Sequence, residues 1–115
     1  MTQSVRDIIH AFQTEIRDSD LTPDRAAEIL TKLAALEGNC NDRIRETSFA
    51  YNKKCLDLKY ESKSVAEAKM RAGTTDEWMV NEEAKDTLKL CKDLMGTLKY
   101  FLKNKFEEYN NAKYL

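Results

Sequence analysis

Proline occurs once in the 115 residues and glycine three times. Sheet-rich folds need many more turns than four such residues can supply, and no run of β-branched residues replaces them. Histidine also occurs once, as His10, so no catalytic constellation or metal cage can draw on two histidines. The three cysteines, Cys40, Cys55 and Cys91, are odd in number and far apart, with no C-x-x-C pair. That spacing supports neither a zinc knuckle nor a redox motif, and free thiols in a reducing cytosol are the simplest expectation. No apolar run approaches the roughly 20 residues that span a bilayer. The N-terminal stretch MTQSVRDIIH has no signal-peptide core, so a cytoplasmic protein without membrane contact is expected.

What remains is rich in helix-forming Ala, Leu, Glu, Lys and Arg, with 34 % charged and 42 % hydrophobic residues. The reading is all-α and a single domain of residues 1–115. Four helices are expected, over about 4–18, 22–62, 64–72 and 75–110. In the first, Val5, Ile8, Ile9, Phe12 and Ile16 share one face. Thr22-Pro23-Asp24 marks the next start: an N-cap, a proline at the first helical position and an acid at the positive end. From there the apolar register Leu30, Leu33, Glu37, Cys40, Ile44, Thr47, Tyr51, Cys55, Leu58, Ser62, Val65 keeps steps of three and four. It passes through Gly38, so one continuous helix is expected, bent there if anywhere. Ser64-x-x-Glu67 and Thr74-x-x-Glu77 read as two capping boxes, and Gly73 as a helix stop. Together these describe a long antiparallel helical hairpin with a short N-terminal helix packed on it. So much helical side surface in so short a chain suggests a homo-oligomer.

The net charge of −1 argues against a surface that grips nucleic acid everywhere. The charge is unevenly spread: −3 over 1–37, +3 over 38–73, −4 over 74–84, +4 over 85–105 and −1 over the last ten residues. In the basic stretch, lysines alternate with apolar groups. With Leu88 at heptad position a, Leu88, Cys91, Met95, Leu98, Leu102 and Tyr109 fall on a and d, and Val80, Leu94 and Phe101 widen the stripe. The alternation is therefore mainly amphipathic periodicity. Lys92, Lys99, Tyr100 and Lys103 fall outside the stripe and form a candidate nucleic-acid-binding patch, with Gly96 on the same side. The plainer reading of that patch is a solvated face.

The second helix has a second row. Phe49, Lys53, Leu56, Tyr60 and Lys63, spaced four, three, four and three, lie away from its main register. With Trp78 they are the candidate partner-binding residues, because aromatic anchors dominate interface energy. Cover by the chain itself or by a second copy is the alternative. Trp78 and Met79 also suit packing against the third helix. Of the carboxylate pairs, only Asp57 and Glu61 share a helical face, and no histidine accompanies them. No glycine-rich phosphate loop occurs. No enzyme activity, metal or cofactor is expected.

Residues 63–103, KSVAEAKMRAGTTDEWMVNEEAKDTLKLCKDLMGTLKYFLK, resemble small all-helical proteins of tailed phages and prophages. In those, a Ser-x-x-(Glu/Asp)-Ala-(Lys/Glu) segment joins two long helices, as Ser64 to Lys69 would in this chain. Trp78 and Gly96 are not part of that pattern. The resemblance covers about a third of the chain and identifies no active residue. It implies an accessory protein for recombination or for countering host defence. The expected role is non-enzymatic: occupying a host or phage protein, such as a CRISPR nuclease, by steric block. Alternatives are a nucleic-acid- or nucleotide-binding accessory protein and a structural self-assembling subunit.

Overall fold

The structure, a computed structural model, describes residues 3–113. It contains helices α1 (Val5–Asp18), α2 (Pro23–Glu61), α3 (Val65–Ala72) and α4 (Asp76–Lys113), and no strand among the described residues. The all-α hairpin read from the sequence is the observed fold, with α2 packed against α4. Each helix start has a local cause. Ser4 Oγ accepts from Asp7 N at 3.1 Å, Thr22 Oγ1 from Arg25 N at 3.1 Å, and Ser64 Oγ from Glu67 N at 3.1 Å. Such caps satisfy N–H groups that have no partner within the helix.

Three details depart from the sequence reading. The last helix is capped one residue later than Thr74-x-x-Glu77 implies: Trp78 N donates to Thr75 Oγ1 at 3.2 Å, while the Thr74 hydroxyl turns back to Arg71 O at 2.8 Å. Gly73 does close α3, but with φ −71° and ψ −5°, so it uses none of glycine's left-handed freedom. Val65 does not continue the α2 register, because α2 stops at Glu61; Val65 begins α3 and is exposed.

Contacts gather into two compact units, Met1–Asn39 with Lys89–Leu115, and Cys40–Leu88. In the first unit α1, the start of α2 and the end of α4 bury Ile9, Ile29, Leu33, Leu98 and Cys91 completely. The Cys91 thiol donates to Leu33 O at 3.4 Å, which sets the two helices side by side at that level. The α1 stripe faces this core, and Arg25 of α2 binds Glu15 of α1 through two nitrogens, at 2.6 and 2.8 Å. Arg25 also reaches Glu28 at 2.8 Å, and Lys32 reaches Glu28 at 3.1 Å.

In the second unit the seam is small and partly polar. Cys40, Leu58, Ala68, Ala72 and Ala84 are buried beside Thr47, Asn81 and Thr87. The Asn81 Oδ1 of α4 lies 2.9 Å from both the Thr47 and the Ser48 hydroxyls of α2, which donate to it. Arg71 of α3 donates to Ser62 at 3.2 Å and lies 3.5 Å from Glu61, tying the turn to the end of α2. No buried side-chain nitrogen or oxygen among the described residues lacks a partner.

Candidate protein-binding face

The α2 register from Leu30 to Ser62 is buried or half-buried throughout, as its three-and-four spacing predicts. The second row lies on the other side of the same helix. Phe49 is 74 % exposed, Leu56 52 % and Tyr60 82 %, and Lys53 between them is exposed as well. The seam of the second unit does not cover them. Lys63 follows in the turn after α2, exposed, with its backbone N–H donated to Glu67 at 3.3 Å. Three bulky apolar groups in one row on a solvent-facing side are unusual for a helix whose other side already supplies a seam.

The charges around this row are mixed, with exposed Asp57 beside Leu56 and one turn after Lys53. Asp42 is paired with Arg45 at 3.5 Å and Glu46 with Arg43 at 3.9 Å. Lys53, Lys59 and Lys63 form no ion pair among the described residues. The row therefore offers apolar anchors with free cations inside and beside it. Trp78 stands apart, in the first turn of α4, and α4 packs against the opposite side of α2. Trp78 is 37 % exposed, and Met79 beside it is exposed.

Lys92, Lys99, Tyr100 and Lys103 all lie exposed on α4 in the first unit, as their heptad positions predict. Gly96 is on the same side, and nothing lies within 4 Å of where its Cβ would stand. The apolar stripe of α4 is buried or half-buried from Leu88 to Leu102, but Tyr109 is 67 % exposed. Cys91 sits beside Leu33, so α4 runs past the first residue of α2, Pro23, near Phe101; Tyr109 lies beyond it with no α2 residue opposite.

One feature had no sequence signal. A cleft of about 530 Å³ in the first unit is lined by Ile16, Leu21, Leu98 and Phe101, with Asp20 and Lys105 among its charged groups. Lys105 lies over the Phe101 ring at 5.7 Å and is paired with Glu108 at 3.4 Å. The cleft depends on how the α1–α2 turn meets α4, which periodicity does not encode.

His10 is exposed, and no group of three or more His, Cys, Asp or Glu among the described residues could hold a metal ion. Cys40 and Cys91 are buried and Cys55 is half-buried. The Tyr51 hydroxyl titrates above the usual phenol value, raised by its hydrogen bond to Cys55, by burial and by the nearby Glu82 charge. No helix of the described residues is long and apolar enough to cross a membrane. No protein family, curated protein or solved structure matches the chain.

Proposed function

We propose that this chain is a protein-interaction module that acts by occupying a partner, with Phe49, Leu56 and Tyr60 as its anchors. The exposed row on the uncovered side of α2 is the observation that carries this reading. Anchors of this kind supply most of an interface's energy when they enter pockets on the partner. Lys53 sits within the row and is unpaired, so two copies laid face to face would bring like charges together. An acidic and apolar partner surface suits the row better, with Lys53, Lys59 and Lys63 meeting its carboxylates. The resemblance of residues 63–103 to phage accessory proteins is a reason to seek that partner among host proteins, with steric block as the mechanism. Self-association remains a separate proposal that sedimentation decides.

The test is recovery of a stoichiometric protein from nuclease-treated lysate by the tagged chain. The Phe49→Ala, Tyr60→Ala double variant is expected to lose it and to keep its helicity by circular dichroism. Equal recovery by both chains would remove the row from the interface. Loss of helicity would show that the two side chains support the fold instead.

A further inference from the structure

A face of α4 in the first unit carries a different pattern. Lys89, Lys92, Gly96, Lys99 and Lys103 follow one another in steps of three and four, so they line one side of a single helix. At 1.5 Å per residue the line is about 21 Å long. All five residues are exposed, and none of the four lysines is in an ion pair among the described residues. The lysine flanking this line toward the C-terminus behaves differently: Lys105 is held by Glu108. Tyr100 stands beside Lys99 and Lys103, 68 % exposed; exposed Asp93 lies on that side, and exposed Asp86 and Glu107 stand one step before and one step after the line.

Gly96 is the second observation. An exposed glycine within a helix costs roughly 1 kcal/mol relative to alanine. Beyond its own turn of helix, nothing among the described residues lies within 4 Å of its missing Cβ, so no internal packing explains it. At the middle of a line of free cations, its absent side chain lets an elongated anion lie against the helix itself.

We propose that this face binds single-stranded nucleic acid, with the four lysines along the phosphates, the backbone strand passing over Gly96, and a base stacked on Tyr100. One row of charge fits one phosphate backbone. Exposed Tyr100 on one flank of that row, with exposed Phe106 one turn past Lys103 on the other, gives an unpaired base a platform, as in other single-strand binders. A duplex would present a second backbone to the neighbouring acid and could not offer an unstacked base.

The probe is a fluorescein-labelled oligothymidylate of about twenty nucleotides, titrated by anisotropy over a range of salt. The expected slope of log affinity against log salt is about −3, near 0.7 for each of four neutralised phosphates. Lys99→Gln and Lys103→Gln are each expected to weaken binding and to lower that slope by about 0.7. Tyr100→Leu is expected to cost about tenfold in affinity with the slope unchanged. Gly96→Leu has open space to occupy, so it should raise the melting temperature while weakening binding. Phe49→Ala should leave binding intact, which separates this proposal from the protein-binding one. Absent binding at low salt, equal binding of duplex, displacement as effective with polyglutamate as with unlabelled oligonucleotide, or indifference to Tyr100→Leu and Gly96→Leu would each overturn it.

Discussion

Arg25 holds Glu15 with both arms of its fork, Nε to Oε2 at 2.6 Å and the second terminal nitrogen to Oε1 at 2.8 Å. This is a joint between α1 and α2 made by side chains about a third exposed. The hydrogen bonds from Arg25 hold the Glu15 carboxyl below the usual glutamate value. Lys32 does the same to Glu28, again mainly by hydrogen bonding. A carboxyl that titrates lower in the folded state stabilises above its unfolded value, near 4.3, and loses that stabilisation as pH falls through the folded value. Melting temperature is therefore expected to drop below about pH 4.5, and Arg25→Gln should flatten part of that drop. A profile identical in the variant would mean that the joint contributes nothing.

Thiol reactivity should order the cysteines by burial. Cys55 is half-buried and is expected to react first with a thiol reagent under native conditions. Cys40 and Cys91 are almost fully covered, so they should react only at the rate of opening. Peptide mapping after a timed pulse of iodoacetamide reads the order directly. Fast labelling of Cys91 would contradict its place beside Leu33.

Gly38 lies within α2, which runs through it unbroken, and nothing lies within 4 Å of its absent Cβ. Gly38→Ala is expected to stabilise the chain by about 0.5–1 kcal/mol, measured by urea denaturation. A destabilised variant would show that the position has a neighbour.

The two units should differ in local stability. Ile9, Ile29, Leu33, Leu98 and Cys91, the largest fully buried side chains, all belong to the first. The second relies on alanines, threonines, Asn81, Cys40 and Leu58. Less apolar area leaves water per residue there, so its amides should exchange faster. Hydrogen exchange by mass spectrometry should find the slowest amides near Leu33 and Leu98. Equal protection near Leu58 and Ala84 would refute the gradient.

The long seams were legible because periodicity is a property of sequence: Leu33, Cys40, Thr47 and Leu58 fall where steps of three and four put them. The exposed row was legible in the same way, since Phe49, Leu56 and Tyr60 share a face whatever covers it. What was not legible depends on choices between equal local options. Thr74 and Thr75 both offer a hydroxyl to the first turn of α4, and both donate back into α3 at 2.8 Å, to Arg71 O and Ala72 O; only Thr75 also accepts from the new helix, from Trp78 N, a choice of one residue that the pattern Thr74-x-x-Glu77 does not reveal. Tyr109 fits the α4 stripe by spacing, but spacing does not say where the facing helix begins. The cleft beside Leu21 and Phe101 likewise needs a tertiary path that no local pattern carries.

Asn81 has a consequence for alignment. Were this seam filled with interchangeable leucines, α4 could slide along α2 by one turn, about 5.4 Å, and bury much the same surface. Such a slide would carry the Asn81 amide away from the Thr47 and Ser48 hydroxyls, stranding buried polar groups at about 1–3 kcal/mol. The amide thus works as a detent, adding little to total stability while selecting one setting of two helices that could otherwise shift. The turns on either side of α3 are then free of that duty, while α3 itself is still held by burying Ala68 and Ala72.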